Sequence, residues 1–212
     1  MPITNSTELR ALRASLIMSD RQREILIGSI LGDGCLILNS SRTNYRFQVE
    51  QNDAHKGYVF WLYQEFKDWV LTEPKYHNDV NSWKFRTVSH PVLTELANSF
   101  YRKGIKVLPN DVNDWIREPI SLAVWAMDDG CLMPSGFTFN TQSFTKEENE
   151  RLRECLAKNF GLTHTSLHKD KNKVRLYIGN ASLLKLCGII QEYILPEFTY
   201  KLPNPRRDLS LV

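Results

Sequence analysis

Polar and apolar residues change period along this chain in an order that occurs twice. Residues 19–34, SDRQREILIGSILGDG, carry an apolar segment opened by Ser19 and Gln22 in the S-x-x-Q form of a capping box. Residues 119–130, PISLAVWAMDDG, repeat the segment, with Pro119 where a first helical turn tolerates it. Each reads as a short helix stopped by glycine, Gly34 or Gly130. An alternating stretch follows each helix. In YRFQVEQ, Tyr45, Phe47 and Val49 point one way while Arg46, Gln48 and Glu50 point the other; in GFTFNTQ, Phe137 and Phe139 alternate with Thr138 and Asn140. Period two with aromatic and β-branched residues predicts half-buried strands. Charged amphipathic helices come next, HKGYVFWLYQEFKDWV and KEENERLRECLAKNFG. Second strand pairs lie around SWKFRTVSH and KNKVRLYIG, and each leads into a further helix, PVLTELANSFYRKG and ASLLKLCGIIQEYI.

The repeat is also written in letters. Asp-Gly-Cys-Leu stands at 33–36 and again at 129–132, and the halves close on KVLPN (106–110) and KLPN (201–204). From Asp to Lys is 73 residues in the first half and 72 in the second. Agreement at one offset over so many elements is a tandem duplication. The expected fold class is α+β, a pseudo-two-fold tandem of two αββαββα halves, each with an antiparallel sheet. The expected organisation is an N-terminal extension over 1–18, a first half over 19–115, a second over 116–204 and a C-terminal tail over 205–212. Leu9, Leu12 and Leu16 suggest an amphipathic helix in the extension. The join at 111–118 is too short for a flexible linker, so the halves should pack tightly.

Composition narrows the picture only a little. With 212 residues, 42% hydrophobic and 24% charged, the chain is of ordinary globular type and long enough for one large domain or two small ones. A net charge of +3 permits a nucleic-acid partner without demanding one. The four cysteines, Cys35, Cys131, Cys155 and Cys187, include no C-x-x-C pair, which excludes a zinc ribbon or a dithiol redox motif. They read as reduced thiols of an intracellular protein. No apolar run reaches the roughly 20 residues of a membrane helix, and the start lacks a signal peptide's apolar core.

The chemistry is expected at the ends of the two repeated helices. Gly28 and Gly32 lie four apart on one face of the first, and Ala123 and Ala126 offer a small face on the second. If those faces meet, Asp33 and Asp129 emerge side by side. Two carboxylates so placed repel unless cations neutralise them, and oxygen ligands suit hard divalent ions such as Mg²⁺. Phosphodiester hydrolysis at a shared-metal site follows. An Asp-Gly pair alone more often just terminates a helix; the duplication and the small-residue faces outweigh that reading here. Cys35 and Cys131, soft ligands for a hard ion, more plausibly begin buried strands.

LIGSILGDG and LAVWAMDDG resemble the two signature helices of LAGLIDADG homing endonucleases in their single-chain, two-motif form, and with the K-(V)-L-P-N words the resemblance runs from about residue 19 to 204. It implies two α/β halves whose four-stranded antiparallel sheets form a DNA-binding saddle. The last acid of each signature helix, Asp33 or Asp129, would bind metal, with the backbone carbonyls of Gly32 and Asp128 as further ligands. Lys106 and Lys201 would position or polarise the attacking water. Gln51, ending FQVEQ, would sit near the scissile phosphate, with Gln142 as its counterpart. Mg²⁺ is the implied cofactor; Mn²⁺ or Ca²⁺ would substitute, Ca²⁺ without turnover. Gly32 and Asp128 replace the signature's Ala, and Val124 stands at its Gly position, which bears on how closely the helices approach.

Strands that face a major groove should present long polar side chains at every second position. In the first half these are Arg46, Gln48, Glu50, Lys84 and Arg86, with Arg42 nearby; in the second, Thr138, Asn140, Arg175 and Tyr177. At the hairpin tips, Lys75 and His77, and His168, Lys169, Lys171 and Lys173, should reach outer base pairs or phosphates. A plain solvated sheet face is the competing reading for any single one of them. His55, His90 and His164 read as surface or turn residues, Trp61, Trp69 and Trp125 as core, and Arg206 and Arg207 of the tail as phosphate contacts.

The leading expectation is a site-specific endonuclease making a staggered double-strand break in a long DNA target, intron-encoded and monomeric, in an organelle or a bacterial cytoplasm. A maturase binding its own intron RNA on the same scaffold is the second. A DNA-binding regulator without chemistry is the third, and intact Asp33, Asp129, Lys106 and Lys201 speak against it.

Overall fold

A computed structural model describes residues 7–203; Asn204, Arg206 and Arg207, and with them the expected contacts of the tail, lie outside the described residues. The chain forms two compact units, residues 1–23 with 34–97, and residues 24–33 with 98–212.

In the first unit, α1 (Thr7–Ser15) is amphipathic as its leucines predict, with Leu9 buried. The opening turn of α2 (Asp20–Leu31) carries the expected capping box: Gln22 N donates to Ser19 Oγ at 3.1 Å and Ser19 N to Gln22 Oε1 at 3.2 Å. Then come β1 (Cys35–Leu38), β2 (Tyr45–Asn52), α3 (Lys56–Glu65), β3 (Lys75–His77), β4 (Ser82–Arg86) and α4 (Pro91–Phe100). The strands form one antiparallel sheet in the order β1-β2-β4-β3. Alternation in β2 and β4 turns Phe47, Val49 and Phe85 toward a core with Tyr58, Leu62 and Phe66. The helix expected to reach residue 70 ends at Glu65, and a 3-10 turn over Lys67–Trp69 brings the Trp69 ring into the core instead. Trp61 is half-buried and stacks on Tyr58.

The second unit holds the rest of α2, a short hairpin of β5 (Tyr101–Arg102) and β6 (Ile105–Lys106), and α5 (Pro119–Asp129). It continues with β7 (Gly130–Met133), β8 (Gly136–Phe139), α6 (Lys146–Phe160), β9 (Thr165–Asp170), β10 (Lys173–Gly179) and α7 (Asn180–Ile190). Its sheet runs β7-β8-β10-β9, the same order as the first. α6 starts on a capping box of Thr145 and Glu148 and ends on Gly161, whose φ of 63° is the left-handed conformation glycine takes without strain. Phe137, Phe139, Leu176 and Ile178 share one sheet face and are buried, with Trp125 of α5 stacked on Phe139.

α2 from Glu24 to Leu31 and α5 from Ile120 to Met127 are buried on every side, so neither is a surface stripe. They approach closely at Gly28, where an added Cβ would collide with the Ser121 carbonyl oxygen and lie 2.9 Å from Val124 Cβ. The small face that receives α2 is therefore Ser121 and Val124, not the expected Ala123 and Ala126. Val124 does not hold the helices apart, because Gly28 supplies the room. Gly130 ends α5 in an extended conformation, φ −77° and ψ 146°, rather than the expected left-handed cap. Glycine is needed there for space, since a Cβ would collide with Ala126 O and the Phe137 ring.

Candidate active site and nucleic-acid interface

Both acid-bearing helix ends belong to the second unit. Asp33 follows α2 and is exposed; Asp129 is the last residue of α5 and half-buried. The backbone N–H of Asp33 donates to Asp128 Oδ2 at 3.2 Å. Gly32 makes room for that carboxylate, since a Cβ there would lie 2.7 Å from Asp128 Oδ2. Lys106 Nζ donates to the Gly32 carbonyl at 2.6 Å. Lys201, only 7% exposed, donates to the carbonyls of Met127 and Ala126, with Asp128 O at 3.5 Å. The last carbonyls of a helix have no partner within it and carry partial negative charge, so an ammonium on each end is favourable. Asp33, Asp129, Lys106 and Lys201 thus come together, with the Asp128 side chain beside them.

The electrostatics are those of crowded acids. Burial first, and the Asp33 charge second, push the Asp129 carboxyl up to about 7, while Lys106 and Lys201 pull the other way. Burial lowers the Lys201 ammonium, and Asp128, Asp33 and Asp129 oppose that shift. Among the described residues no group of three or more His, Cys, Asp or Glu is poised around one point, so an all-side-chain cage is absent. Two carboxylates with neighbouring backbone carbonyls form an open, hard donor set, which suits an ion that keeps waters and takes substrate oxygens. The Gly32 and Asp128 carbonyls expected in that set accept from Lys106 and, at longer range, Lys201. Cys35 begins β1 and is half-buried, and Cys131 is the second residue of β7 and exposed rather than buried.

On the sheet of the first unit, register sorts the predicted contacts. Gln48 pairs with Arg86, Glu50 with Lys84, Lys75 with Lys84 and His77 with Ser82, so with Arg46 these residues share one face. Glu50 accepts from Lys84 Nζ and from Ser82 Oγ, each at 2.8 Å, and its carboxyl is held below the usual range by those bonds. Burial, then the neighbouring charge of Arg86, lowers the Arg46 guanidinium, marking a concentrated positive spot. Arg42 lies in the exposed β1–β2 loop at φ 56°. Gln51 lies near the end of β2. It pairs with Trp83, whose ring packs on Phe60 of α3, and so falls on the helix-covered face. The glutamine on the polar face is Gln48, opposite Cys35 at the start of β1, two residues after Asp33.

In the sheet of the second unit, Arg175 pairs with His168 and Tyr177 with Thr138 and Ser166, giving a polar face on which His168 and Tyr177 stack at 4.0 Å. Thr138 is on that face but 2% exposed, a short side chain beside the Tyr177 ring, so the expected exposed hydroxyl is not presented. Lys169 pairs with Val174 and falls on the opposite face from Arg175, as a period of two requires. Lys171 occupies the β9–β10 turn at φ 55°, and Lys173 is exposed beside it. Asn140 is exposed, and its backbone N–H donates to Asp129 O at 3.0 Å. Gln142 Nε2 donates to Asp170 Oδ2 at 2.8 Å, an engagement the repeat did not signal. Of the histidines, His164 is exposed and His55 half-buried; His90 is half-buried and T-stacked on Trp69. The residue missed outright is the Asp128 side chain, and its signal was the doubled Asp of MDDG set against glycine in LGDG.

No helix among the described residues is long and apolar enough to cross a membrane. Residues 23–186 match the model of the LAGLIDADG DNA endonuclease family. A probable intron-encoded endonuclease 1 of Wickerhamomyces canadensis is 32% identical over 87% of this chain and 85% of its own. A cytochrome b mRNA maturase bI2 of Debaryomyces hansenii is 28% identical over 85% of this chain and 73% of its own. The solved structure of the homing endonuclease I-WcaI bound to its DNA recognition sequence superposes with a TM-score of 0.84 at 28% identity, covering 94% of this chain and 93% of that one. With its two acid-ended helices and two sheets of one strand order, the chain belongs to the LAGLIDADG DNA endonuclease family.

Proposed function

We propose that this chain is a site-specific homing endonuclease that makes a staggered double-strand break in a long DNA target by metal-dependent phosphodiester hydrolysis, acting as a monomer. The observation that carries the reading is the pairing of Asp33 and Asp129 closely enough for one charge to raise the other's pKa, with a lysine on each helix end. Asp33 and Asp129 would hold the divalent ion, Mg²⁺ by preference, with the Gly32 and Asp128 carbonyls as candidate further ligands. Such an ion supplies charge neutralisation at the phosphate and acidifies water. Lys106 and Lys201 hold their ammoniums at the two helix ends, where each polarises water or phosphate oxygen for a different strand. Hydrolysis joins a water oxygen to phosphorus and releases the leaving oxygen of the backbone with a proton.

Recognition falls to the polar sheet faces. Arg46, Gln48, Glu50, Lys84 and Arg86, with Lys75, His77 and Arg42, serve one half-site. Asn140, His168, Lys173, Arg175 and Tyr177, with Lys171, serve the other. Gln48 lies on the polar sheet face, and Gln51 and Gln142 are the glutamines assigned to the scissile phosphates. The test is cleavage of a plasmid carrying the joined exon sequences that flank the gene's intron. Mg²⁺-dependent linearisation by the chain and none by Asp33→Asn is expected; linearisation by both overturns the paired-acid site. Binding to intron RNA is a second reading, favoured by the maturase relative, and splicing assays with the Asp33→Asn protein separate the two roles.

A further inference from the structure

Leu108, two residues beyond Lys106, is held through both of its backbone groups by one helix. Its N–H donates to Glu148 Oε1 at 2.7 Å, and its carbonyl accepts from Arg151 Nη2 at 3.0 Å. Glu148 and Arg151 stand three apart on α6 and so share a face. Glu148 is 9% exposed, and its second oxygen accepts from Thr145 N at 2.7 Å, so the carboxylate is tied at both oxygens. Charge-assisted bonds of this kind are stronger than neutral ones and fix direction as well as distance.

The other side of Lys106 is weaker. β5 and β6 pair over two residues each, Lys103 and Gly104 at the turn are left-handed, and Ile105 is 67% exposed. So short a hairpin is marginal by itself; the bond from Val107 N to Phe100 O, 2.9 Å, adds one tie. Lys106 therefore stands between a slight hairpin and a firm anchor. Lys201 has a different support: it is buried in its own 3-10 turn, with its ammonium 5.2 Å from the Phe198 ring centroid.

We propose that Glu148 and Arg151 are positioning residues for the cutting of one DNA strand: by clamping Leu108 they keep the Lys106 ammonium on the Gly32 carbonyl at the end of α2. The proposal rests on the reading above in which Lys106 and Lys201 serve different strands. A role in folding alone would slow both strands together. A clamp on Lys106 slows one.

The experiment follows a supercoiled plasmid bearing the cleavable site, alongside a linear duplex of the same site end-labelled on one strand or the other. Arg151→Met, which leaves the Thr145–Glu148 capping box in place, should slow the Lys106 strand by about 10-fold, the scale of a misplaced catalytic group, and the other strand less than about 2-fold. Nicked circles then accumulate, KM stays near the unsubstituted value, and the intact strand is the one spared by Lys106→Met. Glu148→Gln should act in the same direction, and Arg151→Lys, which restores a donor, should recover most of the rate. Equal slowing of both strands by Arg151→Met, or no slowing, overturns the clamp while the strand assignment stands. A Lys106→Met protein that cuts both strands at the normal rate overturns the strand assignment and the clamp with it.

Discussion

Lys106 and Lys201 close matching words at nearly the same distance from matching acids, yet the two ends they serve are unlike. At the α2 end, Asp33 is exposed, Lys106 is half-buried on the Gly32 carbonyl, and glycine precedes the acid. At the α5 end, Asp129 is half-buried with its carboxyl pushed up to about 7, Lys201 is buried across two carbonyls, and an aspartate precedes the acid. The helices also stop at different points, α2 at Leu31, two residues short of its acid, and α5 on the acid itself. What packs over each end differs too, and burial governs both charge and strength of hydrogen bonding. A duplicated motif carries residue types and spacing from one half to the other; it does not carry electrostatics.

The comparison breaks most visibly if the acids are not equivalent in function. Asp33→Asn and Asp129→Asn should each reduce cleavage by on the order of 1,000-fold or more while DNA binding measured by gel shift stays nearly unchanged, because each removes charge that grips the cation. One silent substitution would mean a one-acid site.

The next effect concerns protons. Folded Asp129 keeps its proton up to about 7, against an ordinary value of 3.8, so between those pH values the folded chain binds more protons than the unfolded one. Stability without metal should then fall as pH rises from 4 to 7, by up to roughly 4 kcal/mol for a shift of that size. Asp129→Asn should flatten this slope in metal-free thermal melts, and Asp33→Asn should flatten it less. An unchanged slope in Asp129→Asn would show that other groups set it.

The lysines sharpen the contrast further. Lys201→Met strips a buried charge from two carbonyls and should cost about 2–3 kcal/mol, whereas Lys106→Met should cost less than about 1 kcal/mol. Equal melting temperatures for the two would erase the asymmetry. The last effect concerns the single hydrogen bond at Asp128. Asp128→Ala removes the acceptor of the Asp33 N–H and should cost about 1 kcal/mol, while Asp128→Asn, which keeps an acceptor, should cost a few tenths. Matching losses in both would mean that charge, not the hydrogen bond, is what counts there.

Much of this was legible in the letters. Period changes marked the helices and the strands β2, β4, β8 and β10 but not β9, whose His168 and Lys169 were expected at a hairpin tip; the Ser19–Gln22 capping box formed as read, and the repeated offset led to the two acids and two lysines that the structure gathers. Register alone assigns the sheet faces, Gln51 pairing with Trp83 and Lys169 with Val174. Thr138 is on the right face and still buried, since alternation says which way a side chain points and nothing of what lies over it.

The sequence by itself determined the local and repeated features: helix ends, strand faces by parity, and which residue types stand at each equivalent place. These depend on backbone preferences and short-range spacing, which neighbours in the chain settle. Only the tertiary structure decided that Ser121 and Val124 receive Gly28, that Asp128 crosses to the Asp33 N–H, and that Glu148 and Arg151 hold Leu108. Those contacts join residues 40 to 96 positions apart, and burial and desolvation at such meetings depend on three-dimensional neighbours that no local pattern encodes.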